Sequence, residues 1–585
     1  MTKLVRVVEL RYKRCDLRFG VSPCPAVGDV KCFNTYATCQ AKLSYNPGGG
    51  LSWYFHKQGD PVPPTAAMPA ENFPYPPSIP ILRSIRAEAT RINLGAVREN
   101  ESPFGLRGEV TVELSDFEFR NQFGDFYADE RDVRGSLGKL LLAWLGEAVP
   151  QVELYVYTGT DADAALTDMT VKRYDVTNIS PPSGGTWSIT GIDPLARAER
   201  KKAQFPPATD LRIQSDIDAT TTEISVSGLE SDVSKAMGND GFFYGRLGSE
   251  IIRYTGYTGA DGVWSLSGVT RAALNTQASN HSVDDGMQRC GHYENILYWE
   301  MVYDLLTNHT TIPADLIPLE DWQAEGRSWL STLKGTGTVT QPRPVAEICA
   351  EAMRDGMFSI WWDERAQNIP MLALRQPVKP PVTLTERNAI VSSAIKRSPD
   401  ERRTRVTIYY QRRDPTESLE EGRNYRQQRI RIDPEAEGPN FADGTVRNLI
   451  WYSPFLRTDL NAILVQASFL LRYRDTPEYL ELALAYKDSN LRVGDVIFVE
   501  SYDTLDTLGN PLKKPWQIIE WEETEPGFAY RILCQSFILF ERPSFIMAND
   551  APTFGDATDE EKENACFLAG ADDLMPDGSV AYVIQ

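Results

Sequence analysis

Between Glu109 and Phe119 apolar and polar residues alternate: Val110, Val112 and Leu114 are separated by Thr111 and Glu113, and Phe117 continues the run. A period of two marks a half-buried strand. "QVELYVYTG" and "VKRYDVTNI" repeat the pattern further on. Between these stretches Val133, Leu137, Leu140, Leu141 and Leu145 fall at helical spacing, so 81–206 reads as a β-barrel with one packed helix. From 207 to 288 short strands such as "TTTEISVSG" and "GFFYGRLGSEIIRYTGYTGADGVWSLSG" are broken by turns such as "GADG", as in a small inserted β-domain.

The period then changes. "YENILYWEMVYDLLTNHT" and "PVAEICAEAMRDGM" are amphipathic, with Pro344 suited to the first helical position, and "FSIWWDERAQNIPMLAL" reads as a hairpin; 289–375 is an α/β domain. Residues 376–546 return to strands around one strong helix. Thr458 is its candidate N-cap, Leu460, Ile463, Leu464, Ala467 and Leu471 form its expected apolar face, and Pro477 lies past its end. "YLELALAYK", a turn at Asp488 to Asn490, "VGDVIFVES", "WQIIEWEET" and "AYRILCQSFILF" then complete a second barrel. Residues 547–585 form an acidic tail. The fold class is mainly β with α+β parts, in several domains.

The segment "HKQGDPVPPTAAMPAENFPYPPSIP" holds eight prolines, which excludes helix and central strand and reads as a semi-rigid strap ending a first unit at residue 80. The N-terminus lacks the apolar stretch of a signal peptide, and no apolar run approaches the roughly 18 residues of a spanning helix. The reading is of a soluble protein made in the cytoplasm. A net charge of −21 argues against a dedicated nucleic-acid binder. Arg402, Arg403, Arg405, Arg412, Arg413 and Arg423 suggest either a basic patch or, the preferred reading, a solvated strand edge guarded by charge. No HExxH, Walker loop or G-x-S-x-G elbow is present, and four histidines leave few general bases, so the expectation is a non-enzymatic protein. His56 stands alone, and Cys290, His292 and His309 are too scattered in sequence to suggest a metal site.

The chemistry worth pursuing is N-terminal. Cys15, Cys24, Cys32 and Cys39, half of the eight cysteines, are spaced C-x8-C-x7-C-x6-C. Disulfides would be unusual in the cytoplasm. Zinc prefers closer paired knuckles. An iron–sulfur cluster accepts four thiolates from irregular spacings. Simple burial of four small side chains is the plain alternative, in a segment with little apolar material to bury them. All four readings stand on spacing alone.

The stretches "DLRFG" (Asp16 to Gly20) and "CFNTYATCQ" (Cys32 to Gln40) resemble the N-terminal cysteine module of tail-tip hub proteins from long-tailed bacteriophages and gene transfer agents. "LGSEIIRYTG" (Leu247 to Gly256), "WWDERAQ" (Trp361 to Gln367) and "LRVGDVIFV" (Leu491 to Val499) are similar to the same family. That resemblance implies a [4Fe–4S] cluster on Cys15, Cys24, Cys32 and Cys39, with zinc as the alternative. It implies β-barrel hub domains at 81–206 and 376–546, beside the cysteine module at 1–80. It further implies a homotrimer closing the tail tube in the virion, assembled in the host cytoplasm. Its partners would be the distal tail protein, the tape-measure protein and a central fibre or receptor-binding protein, and the ring would open for DNA ejection. An acidic lumen would repel passing DNA. The competing reading is a cytoplasmic iron–sulfur redox protein or enzyme, which would need a polar substrate pocket beside the cysteines.

Overall fold

The computed structural model describes residues 3–28, 31–60, 78–94, 101–120, 134–160, 165–234, 237–374, 382–439, 444–485, 490–525 and 529–536, with short pieces at 544–545, 556, 558 and 565–566. Most of the proline strap, Asp488 and Ser489 of the expected turn at Asp488 to Asn490, and nearly all of the acidic tail lie outside the described residues. The chain is mainly β, in several sheets, two of them half-barrels.

The first half-barrel has seven antiparallel strands in the order Pro47–His56, Leu4–Cys15, Glu153–Thr160, Thr170–Ile179, Thr186–Ile192, Glu109–Ser115, Leu82–Ala87. Its concave side buries Val8, Leu10, Val110, Val112, Leu114, Leu154, Val176 and Ile189, covered by the helix Leu137–Leu145. Ser136 caps that helix by accepting from Lys139 N. The alternation ends at Ser115: Phe119, not Phe117, is the fully buried ring. Two strands come from within 1–80, the span read as a separate cysteine module. The reason is in the residues: "LVRVVEL" alternates strongly enough to be buried on both faces of a sheet, Val5 and Val7 on one side and Val8 and Leu10 on the other. Only the loop 16–46 stands off the sheet.

The inserted unit pairs its strands in the order Glu250–Tyr254, Phe243–Leu247, Gly286–Leu297, Leu211–Ile213, Ile224–Ser227, Val263–Ser267, Gly256–Ala260 around a core of its own. The second half-barrel runs Val382–Thr385, Val496–Leu505, Pro511–Glu525, Ala529–Ser536, Glu478–Ala485, Ile390–Arg397.

The helix Asp459–Tyr473 does not belong to that second barrel. It packs into the large central core with the helices Tyr298–Asn308, Leu319–Trp329 and Val345–Gly356 and the sheet Tyr425–Ile432, Arg405–Arg412, Asn448–Tyr452. Thr458 caps it as expected, accepting from Asn461 N, but the expected face is the wrong one. Leu460 and Leu471 are 58% and 41% exposed, whereas Ala462, Val465, Phe469 and Tyr473 are buried. Two polar residues mislead the eye: Asn461 donates to Lys334 O and Gln466 donates to Val406 O and Arg429 O, so both amide groups find acceptors inside. Pro344 likewise sits one place earlier than expected, at the N-cap.

The arginine-rich strand is also corrected. Arg405–Arg412 is the central strand of its sheet, paired on both sides, and so is no edge. Its arginines are tied internally: Arg402 donates to Arg474 O, Arg405 pairs with Glu437 at 2.9 Å, and Arg413 donates to Tyr425 O.

Two of the stretches quoted above meet where the half-barrels join. Trp361 packs with Ile92, Leu94, Tyr479 and Ile519 beside Val493. Glu364 takes an ion pair from Lys172 of the first sheet at 2.8 Å, and Arg492 lies 3.6 Å from Asp363. No helix among the described residues is long and apolar enough to cross a membrane.

Candidate metal centre: a cysteine loop on the first half-barrel

The loop 16–46 leaves the sheet at Cys15 and returns at Pro47, where the pairing register shifts between Arg14 and Cys15. A shift of that kind turns the last side chain away from the pleat. Asn34 ties the middle of the loop to its start, while Asp16 N donates to Asn46 O at 3.1 Å and joins the two ends. The Asn34 backbone oxygen accepts from Cys15 N at 2.7 Å, and its side-chain amide donates to Cys15 O and Leu17 O at 3.0 and 3.2 Å. It does so from the left-handed region, at φ 57°, which asparagine tolerates better than most residues.

The rest of "CFNTYATC" docks the loop. The Phe33 ring stacks on Trp144 with centroids 4.7 Å apart, and the Thr35 hydroxyl donates to Trp144 O. Thr38 accepts from Phe33 N at 3.0 Å and shares a hydrogen bond with Thr35. Gly146, at φ 52°, ends the helix under Ala37, where an added Cβ would come within 2.9 Å of the alanine methyl. The motif therefore has a mechanical reading: Phe33 and Thr35 anchor, Asn34 clamps, Thr38 braces, and the flanking cysteines face inward.

All four cysteines gather around Cys32. Burial raises its thiol pKa, the N–H of Asn34 on its sulfur opposes that, and charge on Cys39, Cys24 and Cys15 raises it further. Each sulfur is thus near enough to oppose ionisation of Cys32. Cys15 and Cys32 are 7% and 9% exposed, Cys24 and Cys39 somewhat more. None of the four is disulfide-bonded. Asn46 N points at Cys15 Sγ at 3.5 Å, a second N–H···S contact. Apolar support is slight: Phe19, Ala26 and Cys32 form the local core, with Cys24 and Ala41 against it. Among the described residues no group of three or more His, Cys, Asp or Glu side chains is arranged as it stands to hold a metal ion. The sulfurs converge without closing.

The donor set nevertheless suits a soft metal or an iron–sulfur cluster. Four thiolates in one small space repel one another unless a cation joins them, and amide N–H groups aimed at sulfur stabilise bound thiolate. Spacing alone could not point to Asn34, Thr35 and Thr38, which position the cysteines; the signal was the density of hydrogen-bonding residues between Cys32 and Cys39.

Cys290 and the histidines His56, His292 and His309 stand in packed or hydrogen-bonded surroundings. The Cys290 thiol is pushed up to about 12, chiefly by burial. His292 is hydrogen-bonded to Thr338 at 2.8 Å, and the His309 ring stands edge-on to Phe205 at 4.6 Å. His56 bonds Ser78 at 2.8 Å.

No family model matches the chain, and no curated protein does. Among solved structures, it is similar to the 43 kDa tail protein of prophage MuSo2 from Shewanella oneidensis, with 11% identity over 78% of this chain and 97% of that one, TM-score 0.30. It is similar also to a tail protein from Neisseria meningitidis MC58, at 11% identity over 56% and 92% of the two chains, TM-score 0.26. A chain in the virion of a native gene transfer agent particle aligns at 12% identity over 62% and 87%, TM-score 0.29.

Proposed function

We propose that this chain is a structural hub of a phage-type tail tip, non-enzymatic, present in the virion as a homotrimer, and clipped at its N-terminus by a [4Fe–4S] cluster on Cys15, Cys24, Cys32 and Cys39. The observation that carries the reading is the cysteine loop. Four thiols converge on a loop whose own core is too small to fix it, and the loop is braced against a half-barrel by the residues of the motif that resembles the hub family. A bound cluster supplies four metal–sulfur bonds and neutralises the thiolates; the chain's own residues set where the sulfurs stand. Distal tail protein, tape-measure protein and a central fibre or receptor-binding protein are the partners of such a hub, and DNA crosses it during ejection. The acidic net charge keeps a passing polyanion from sticking.

The test is purification without oxygen, followed by metal analysis and mass measurement of the assembly. About four irons per chain are expected, the content of such a cluster, together with a threefold assembly. Stoichiometric zinc would replace the cluster but keep the clip. A metal-free protein that stays folded at 16–46 would end the proposal.

A further inference from the structure

In a chain of net charge −21, a local concentration of cations needs a cause. Arg197, Arg200, Lys201 and Lys202 fall within six residues, in and just after the short helix Pro194–Glu199. The one carboxylate among them, Glu199, turns away to bond Ser102 at 2.5 Å and to pair with Arg107. Across from this segment lies 308–311, at the end of the helix Tyr298–Asn308. Between them is a cleft of about 410 Å³ whose walls carry Arg197, Arg200, Lys202, Asn308, His309 and Thr310, with no Asp or Glu among the lining residues. It lies between the first half-barrel and the central core, a junction of the kind where ligand sites recur.

The plain explanation accounts for part of this charge. Asp175, buried in the strand Thr170–Ile179, takes Arg197 Nε and Nη2 at 2.5 and 2.8 Å. Arg197 Nη1 then reaches across the cleft to Thr311 O at 2.9 Å. One arginine therefore satisfies the buried carboxylate and ties the two walls together. Arg200 adds a single contact to Asp175 at 3.5 Å with its side chain 40% exposed, and Lys202 is exposed. Two cations remain turned to a concave, donor-lined space that a buried ion pair holds open.

We infer that this cleft is an anion site that takes a phosphate group, borne either by a phosphorylated small molecule or by a polynucleotide strand. Asp175 is answered chiefly by Arg197, with Arg200 at the edge of hydrogen-bond distance. Arg200 and Lys202, with the amide of Asn308, which gives one N–H to Asp304 and has a second, suit a group with several charged oxygens. A cleft lined by one sign of charge also concentrates counter-ions against an otherwise repulsive surface. The inference is independent of the hub reading.

Isothermal titration of the full chain with pyrophosphate and with a short single-stranded DNA, each in low and high salt, tests it. Binding of at least one probe is expected. Arg200→Ala with Lys202→Ala should weaken it by at least about tenfold, as loss of charge-assisted contacts does. Lys201→Ala, the same charge change in the same run but outside the lining, should change it less than about twofold. Arg200→Lys with Lys202 intact should keep most of the affinity. Tighter binding of DNA, falling steeply with salt, makes the source a strand; pyrophosphate binding alone makes it a small molecule. Equal losses at Lys201 and at the lining pair, or no binding of either probe, overturn the inference.

Discussion

Two long loops hang from sheets in this chain, 16–46 on the first half-barrel and 268–285 on the inserted β-domain, and their interiors are held by different chemistry. In the second, Glu250 is wholly buried and takes Arg271 Nε and Nη2 at 2.7 and 2.8 Å, with His281 Nε2 at 2.9 Å. The N–H groups of Ala272 and Ser279 complete its shell at 3.0 Å each, and Arg271 Nη1 goes on to Asp218 O and Thr221 O. Every group at that node is answered by another protein group. In the first loop the inward groups are thiols, which repel once ionised, over a single small core of Phe19, Ala26 and Cys32. The lesson is that a loop without apolar mass can be fixed by a complete charge network or by a site that a cation completes. Each choice leaves a different signature under mutation.

The largest effect should come from Cys32→Ser. If the proposed cluster holds the loop, loss of one thiolate should strip 16–46 of its hydrogen-exchange protection, because a small metal-dependent segment does not hold without its metal. The strand Leu4–Cys15 should keep its protection, since it is buried between its neighbours in the half-barrel. Assembled tails that form normally with this variant would argue against the clip. Next comes Glu250→Gln, which leaves Arg271 buried and uncompensated and should cost about 3–5 kcal/mol in denaturant unfolding. Acid gives the same information. Burial raises the Glu250 pKa, yet bonds from Arg271, His281 and the backbone outweigh that and hold it at about 2. The ionised form is therefore favoured by folding, so its contribution is complete above the ordinary glutamate range near 4.5 and fades as pH falls toward 2. Glu250→Gln should flatten that part of the pH–stability curve, while Cys32→Ser should leave it unchanged.

The two loops were also unequally legible. The cysteine loop announced itself, because four cysteines with Asn and Thr between them are a rare combination whose parts act locally. The Glu250 node did not: its members are spread from 218 to 281, and nothing in "LGSEIIRYTG" distinguishes a buried glutamate from an exposed one. The half-barrel strands were readable wherever one face meets solvent, as at Val110 to Leu114. Periodicity failed for the helix Asp459–Tyr473, whose buried face includes Asn461 and Gln466, and for Arg405–Arg412, whose charged ends pair inside the molecule. In both cases long-range hydrogen bonds decide burial, and a window of neighbouring residues does not contain them.

Asp355 sharpens the comparison from the opposite sign. It is as buried as Glu250 and accepts from Trp451 Nε1 at 3.0 Å and Ser453 Oγ at 2.5 Å, with the nearby Arg354 charge a lesser influence than burial. Burial dominates and raises its pKa to about 7, against the pull of those hydrogen bonds. Folding here favours the protonated form. The stability it contributes is full below about 4 and is lost as pH rises through 7, on the order of 4 kcal/mol across that interval. Asp355→Asn should reduce this slope, read as unfolding midpoints between pH 5 and 8 at fixed salt, the remainder falling to Asp193, whose carboxyl burial likewise raises to about 7. An unchanged slope would mean that another buried carboxyl carries it.

The smallest effect is expected at Leu43. It stands on the cysteine loop fully exposed to solvent, as Val27 nearly is, so neither adds to the loop's interior. If the loop is held by its sulfurs and by docking on Trp144, Leu43→Ser should change the stability of the isolated chain by less than about 0.5 kcal/mol, the ordinary range for a surface substitution. Phe33→Ala, which removes the stacked ring, should cost about 3 kcal/mol locally and release the loop from the helix. Hydrogen exchange across 16–46 in both variants separates the two cases. A large loss of protection in Leu43→Ser would show that the loop is kept in place by apolar contact after all, and that the difference drawn between the two loops is smaller than their chemistry suggests.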